Sequence, residues 1–377
     1  MNSDRFLSSY DYHLPPELVA QTPAVPRDSS RLLIVNSSTT YVNSIFQDLP
    51  NWLQAGDLLI LNNTRVIPAR LFGRKSTGAA VEVLLLEERE DNCWLALVKP
   101  GKRFKLGTEI LFAAPGIAEE CRFKAKVVGR DEETSGRLLE FDVNSRQSFL
   151  ELLNLHGVVP LPPYITSSES QPEQYQTVYA RQPGAIGHSS ETFSKSSPAP
   201  LGAIAAPTAG LHFTPELLQR LKNEGIKTAE VTLHVGLGTF RPVEVDDVTT
   251  HKMHQEWVEV PKSTVEQIYA TKAEGGRVIA VGTTVVRALE GAAAANNLTI
   301  KEFCGKTNLF IYPGYQWRVV DGLITNFHLP GSTLLMLVSA LIGRERLLSL
   351  YESAIAQRYR FYSFGDAMLI LPAAVIK

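Results

Sequence analysis

Between Val81 and Val143 the chain shows no helical period. Five short apolar runs fill this stretch: VEVLLL (81–86), WLALV (94–98), EILF (109–112), FKAKVV (123–128) and LLEFDV (138–143). Asp91-Asn92, Pro100-Gly101, Pro115-Gly116 and Ser135-Gly136 fall between them, pairs that supply the bends a hairpin requires. Runs this short and this regularly interrupted predict a small antiparallel β-barrel. Outside the stretch the rhythm alternates. DLLIL (57–61), RVIAVG (277–282), LITNF (323–327) and AMLIL (367–371) read as buried strands. Residues 263–274, 283–295 and the run opened by Ser332 read as helices, with Thr283 or Thr284 as the cap of the second. The expected fold is therefore α/β. A larger α/β domain, formed by 1–68 and 156–377, carries an inserted barrel domain at 69–155. Within the larger domain, 187–200 (GHSSETFSKSSPAP) is too poor in large apolar side chains to offset ordering entropy and predicts a mobile surface insertion.

Charge narrows the function. Lys and Arg total 37 against 39 Asp and Glu, a net charge of −2, which argues against a protein that coats nucleic acid indiscriminately. A local basic patch remains available. Lys99, Lys102, Arg103 and Lys105 surround the turn at Pro100-Gly101, with Phe104 among them as a ring to stack on a base. Cys93, Cys121 and Cys304 lie far apart, matching neither a disulfide framework nor a zinc site. The first fifteen residues lack a basic segment followed by an apolar run, and the apolar stretch 334–342 is too short to span a bilayer. These features predict a cytoplasmic monomer without a membrane partner or metal.

Polar residues with chemical potential gather after strands. Thr208, Gly210, His212 and Thr214 occupy one turn, where Thr214 also suits a helix N-cap. Gly236, Gly238, Thr239 and Phe240 form a loop that lets backbone approach a ligand. His251-Lys252-Met253-His254-Gln255-Glu256 is the densest titratable cluster; two histidines three apart would share a helix face, but the pattern is no known metal motif. Gly282, Thr283, Thr284 and Arg287 follow a buried strand and open a helix, offering N–H groups to an anion, with Arg287 and Glu290 also spaced as a surface ion pair. Asn326, His328 and Ser332 repeat the arrangement of strand, polar loop and helix.

Read together, these segments resemble the S-adenosylmethionine:tRNA ribosyltransferase-isomerase family of queuosine biosynthesis. The resemblance runs in order through YDYHLPPELVAQTP (10–23), GDLLILNNTRVIPARL (56–71), LVKPGKR (97–103), VPLPPYI (159–165) and YQTVYA (175–180). It continues through APTAGLHFT (206–214), LHVGLGTFRPV (233–243), HKMHQEW (251–257), VIAVGTTVVRALE (278–290), TNLFIYPGY (307–315), 323–341 and 359–371. Two departures stand out: Asn63, where the family usually carries Asp, and the extra length ahead of APTAGLHFT.

The resemblance implies an enzyme, a transferase and isomerase, that moves the ribosyl group of S-adenosylmethionine onto 7-aminomethyl-7-deazaguanine at the tRNA wobble position. The products are epoxyqueuosine-tRNA, adenine and methionine. S-adenosylmethionine is a co-substrate, and no prosthetic group is implied. The sulfonium acidifies the C5′ proton, so a general base is needed, together with a carboxylate anchor and donors for adenine. His254, Glu256, His212, His234 and Asp366 form the acid–base pool, with His254 first because an imidazole is neutral near pH 7. Arg65 and Arg287 are the candidates for the carboxylate anchor by bidentate geometry, with Thr64 beside the first, and sequence leaves open which of these residues does which job. The competing readings are an S-adenosylmethionine-dependent RNA methyltransferase and a non-catalytic tRNA-binding protein.

Overall fold

The structure is a computed structural model that describes residues 3–112, 123–132, 134–143, 148–167, 169–181, 201–236 and 243–376. The expected insertion at 187–200, together with Gly238, Thr239, Phe240 and Cys121, lies outside the described residues. β1 (Arg31–Val35), β2 (Tyr41–Ile45) and β3 (Leu58–Asn62) open the chain. β4 (Arg70–Lys75), β5 (Ala80–Glu90), β6 (Cys93–Lys99), β7 (Glu109–Phe112), β8 (Phe123–Arg130) and β9 (Arg137–Asp142) follow. Helix α1 (Phe149–His156) leads into the short β10 (Gly157–Val158). Beyond it come α2 (Pro215–Asn223), β11 (Lys227–His234), β12 (Glu256–Val260), α3 (Lys262–Ala273), β13 (Val278–Val281) and α4 (Thr283–Ala295). The last elements are β14 (Phe303–Thr307), β15 (Gly322–Asn326), α5 (Thr333–Ile342), α6 (Arg344–Ala356) and β16 (Ala367–Ile370).

The β-rich stretch closes on itself. Antiparallel pairing runs β4-β5-β6-β9-β8-β7, and β7 returns to β4 through Gly73–Phe112 and Arg74–Leu111. Closure removes the open edges that invite aggregation. Alternate residues point inward, so Phe112, Phe123 and Phe141 stack in the barrel with centroids 4.9 to 5.9 Å apart. β4 is the strand that the sequence pattern misses, because RLFGRK buries only Leu71 and turns its other side chains outward or partly so. Gly73 is required where β4 meets β7: a Cβ there would sit 2.8 Å from an Ile110 methyl.

The larger sheet has the order β14-β12-β11-β3-β13-β15-β16-β1-β2. β11, β3, β13 and β15 run parallel, whereas β12 and β16 are antiparallel to their neighbours β11 and β15. One edge of the sheet therefore collects the carboxyl ends of β3, β11, β13 and β15 with the amino ends of β12 and β16. Side chains alternate between two cores. Leu323 packs with Val285, Val286 and Leu289 of α4 on one face, and Ile324 packs with Phe213, Leu217 and Leu221 on the other. At the opposite edge Asp57, almost wholly buried, accepts from the backbone N–H of Arg277 at 3.1 Å and from its Nε at 2.9 Å, tying β3 to β13.

Caps set the helix starts. Thr214 accepts from Leu217 N–H at 3.1 Å and Ser332 accepts from Leu335 N–H at 3.2 Å. α4 differs from expectation: neither threonine caps it. Gly282 takes that place with φ of 95°, a backbone conformation open to glycine, and supplies no side-chain bond.

Candidate active site

A cavity of about 860 Å³ opens at the edge where the strand ends gather. That volume suits a small organic ligand. Thr208, Glu256, Gly282, Thr283, Thr284, Arg287, Asn326, His328 and Ser332 line it, all expected from the sequence. Among the described candidates, Thr64, Arg65, Gly210, His212, Thr214, His234, Gly236, His254 and Asp366 are not part of its wall.

Arg287 dominates the wall electrostatically. Only 4% exposed, it pairs through Nη1 with Glu256 and donates through Nε to the Leu309 carbonyl at 3.3 Å. Its Nη2 is buried without a hydrogen-bond partner. Burial pulls its pKa down to about 10, so it remains a cation near neutrality. The expected surface pair with Glu290 is absent. Glu290 is fully buried and accepts from Val319 and Val320 N–H groups at 3.0 and 3.1 Å and from Tyr315 OH at 3.1 Å. Glu256, two residues beyond His254 at the start of β12, thus serves its partner Arg287. The 251–255 segment is not helical, so its two histidines do not share a helix face. Among the described residues no cluster of His, Cys, Asp or Glu could hold a metal ion.

Three histidines are tied to hydroxyls, a state that suits neutral imidazole. His212 bonds Ser30 Oγ at 2.7 Å and Asn326 Nδ2 at 3.2 Å, and stacks on Phe46 at 4.9 Å. His234 bonds Thr64 Oγ1 at 2.8 Å and stacks on Trp257 at 5.0 Å. His328 bonds Thr325 Oγ1 at 2.8 Å. Burial pushes His212 and His328 down to about 3 and His234 to about 4. Asp366 is a brace: its carboxylate accepts from the N–H groups of Arg31 at 2.9 Å and Arg360 at 2.8 Å, joining the starts of β1 and β16. Thr214 likewise combines its cap with a bond to Asp28 at 2.9 Å.

Asn63 has a local physical reason. Its amide donates to Glu230 at 2.8 Å and accepts from Thr232 Oγ1 at 2.7 Å. An aspartate there would set two carboxylates against each other.

On the barrel, Lys99, Lys102, Arg103 and Lys105 are exposed, but Phe104 is fully buried in the barrel core. It offers no ring to a base. The exposed ring is Phe72, which shares a barrel face with Lys99 through the register Phe72–Glu82–Lys99. Sequence reasoning also passed over Tyr164, Tyr362 and Ser363 of the cavity wall. Tyr362 has φ of 72°, uncommon for a bulky residue and the kind of strain that gathers at functional sites, and no local sequence signal announces it.

An α/β enzyme is defined by these features, one whose ligands enter a crevice at strand ends beside an attached β-barrel. The chain belongs to the family described as queuosine biosynthesis protein, whose model matches residues 7–370. It is 64% identical to the S-adenosylmethionine:tRNA ribosyltransferase-isomerase of Nostoc sp., over 99% of this chain and 94% of that one. It is 59% identical to the enzyme of the same name from Acaryochloris marina, over 99% and 95%. The crystal structure of S-adenosylmethionine tRNA ribosyltransferase from Thermotoga maritima superposes with a TM-score of 0.51 at 38% identity, covering 96% of this chain and all of the other.

Proposed function

We propose that this enzyme transfers and isomerises the ribosyl group of S-adenosylmethionine onto 7-aminomethyl-7-deazaguanine at the tRNA wobble position, yielding epoxyqueuosine-tRNA, adenine and methionine. The observation that carries the reading is Arg287: a buried cation with one unpartnered N–H group in a cavity onto which the uncapped start of α4 opens. Both features favour a carboxylate, the terminus of the donor's methionine moiety. Gly282 admits the carboxylate near the first N–H groups of α4, and Thr283 and Thr284 add hydroxyls. His254 lies outside the cavity wall but two residues ahead of the wall residue Glu256, and in this reading it reaches in to take the C5′ proton. His212, His234 and His328 are already bonded and hold a proton weakly, which makes them poor bases. Removal of the C5′ proton leaves a sulfonium ylide; in the steps that follow adenine leaves, the aminomethyl nitrogen bonds to the ribosyl group as it gives up a proton, and the epoxide closes as methionine departs.

The barrel, residues 69–155 inserted between 1–68 and 156–377, meets RNA through the basic turn and the Phe72 face. The enzyme acts as a cytoplasmic monomer; no described helix is long and apolar enough to cross a membrane. Incubation with donor and precursor tRNA tests the function. Equal release of adenine and methionine supports it; S-adenosylhomocysteine would identify a methyltransferase, and an unconsumed donor a binding protein.

A further inference from the structure

Asn326 carries a second unpartnered polar atom at the cavity. The side chain is 3% exposed, it lines the wall, and its Oδ1 has no hydrogen-bond partner. Its orientation follows from chemistry. The carbonyl of Tyr362 can only accept, so the atom 3.1 Å from it must be the amide nitrogen. The same nitrogen faces His212 Nε2 at 3.2 Å, so that ring atom accepts and the proton sits on Nδ1, directed at Ser30 Oγ. The low proton affinity of the buried ring agrees with a neutral tautomer. Ser30, His212 and Tyr362 together hold Asn326 with its acceptor unused.

We propose that Asn326 Oδ1 receives the 6-amino group of the donor's adenine, and that His212 is a positioning residue acting through Asn326. The sheet geometry selects adenine over the donor's α-ammonium. Asn326 lies two residues beyond Ile324 on β15, so its side chain shares the Phe213 face, whereas α4 and Arg287 lie on the face of Leu323. A ligand whose carboxylate meets Arg287 keeps its ammonium beside that carboxylate; its far end alone reaches around the sheet edge. Tyr164 and Tyr362 line the cavity near that end, their rings 4.8 Å apart, and offer apolar surface to a purine.

The inference rests on the proposed use of S-adenosylmethionine, and calorimetry on the full chain separates the two. The probes are S-adenosylmethionine and its 6-oxo analogue, which presents a carbonyl in place of the amino group. Wild type should bind the analogue about 100-fold more weakly, because two acceptors then face each other. Asn326→Ala and His212→Leu should narrow the ratio to about threefold, while His212→Gln, which keeps an acceptor for the amide, should retain most of it. A role of His212 in stability alone would leave the ratio unmoved. If wild type binds both probes within threefold, or if a folded Asn326→Ala keeps the full ratio, the assignment is overturned. The wild-type comparison decides even where a variant fails to fold. Failure of S-adenosylmethionine itself to bind would instead remove the functional reading beneath it.

Discussion

A buried guanidinium is tolerated because a carboxylate sits against it, and removing either partner exposes the cost of the other. Arg287→Met should lower unfolding stability by about 3–5 kcal/mol, since Glu256 stays buried without its cation. Adding Glu256→Met should recover most of that loss in urea unfolding. Donor affinity should stay weakened by about 100-fold in both variants, because the carboxylate partner is gone; wild-type affinity in the double variant would assign the pair to stability alone. His254→Ala belongs to a different class of effect. Loss of a general base predicts a fall in kcat of about 10²–10⁴ with donor and tRNA dissociation constants little changed. Unaltered kcat across pH 6 to 9 would transfer the proton to another group.

Elements act by what they hold in place. The turn at 208–212, the end of β11 and the end of β15 each keep a histidine neutral. Their values of about 3, 4 and 3 lie below the ordinary 6.5, so the unfolded chain binds more protons between those limits. The associated stability is complete above pH 6.5 and is lost as pH falls through the window. The three together set a slope of up to roughly 4 kcal/mol per pH unit, with a smaller share from the less buried His234. Comparing urea unfolding at pH 7.5 and 5 should show the loss, and His212→Gln should flatten the slope by about one proton. An equal slope in the variant would mean that His212 is protonated in the native state. The barrel predicts a salt effect. Replacing Lys102, Arg103 and Lys105 by Ala should flatten the salt dependence of tRNA binding by up to about three units, and Phe72→Ala should cost about 1–3 kcal/mol of that binding. Donor affinity should not move. An unchanged salt slope would return the turn to ordinary solvated surface.

Across the whole molecule, what was legible in the sequence was local. The five barrel strands, α3, α4 and the caps at Thr214 and Ser332 follow from spacing and turn chemistry that neighbours in sequence supply. The barrel was legible, but its closing strand β4 was not, because it buries one residue and pairs Gly73 with Phe112. Nor was the fate of the histidines. His212 reads as chemistry in APTAGLHFT, yet its partner Ser30 stands 182 residues away, and burial is decided by such distant contacts. Arg287 and Glu290 look like a surface pair until the sheet brings Glu256 to one and the 318–320 backbone to the other. The Phe104 ring fails as an RNA contact for the same reason. Composition predicts that deleting 187–200 leaves melting temperature and kcat close to wild type, since Ser- and Pro-rich segments add little buried apolar surface. A tenfold fall in kcat at unchanged stability would give that segment a part in turnover.

Ribosyl transfer itself is tested most directly by isotope tracing. S-adenosylmethionine labelled with ¹³C throughout the ribose is incubated with tRNA bearing 7-aminomethyl-7-deazaguanine, and the digested nucleosides are weighed. The account predicts that all the ribosyl label appears on the wobble nucleoside while adenine and methionine are released unlabelled in equal amounts. Label that stays on S-adenosylhomocysteine, with only a methyl group gained by the tRNA, would contradict it.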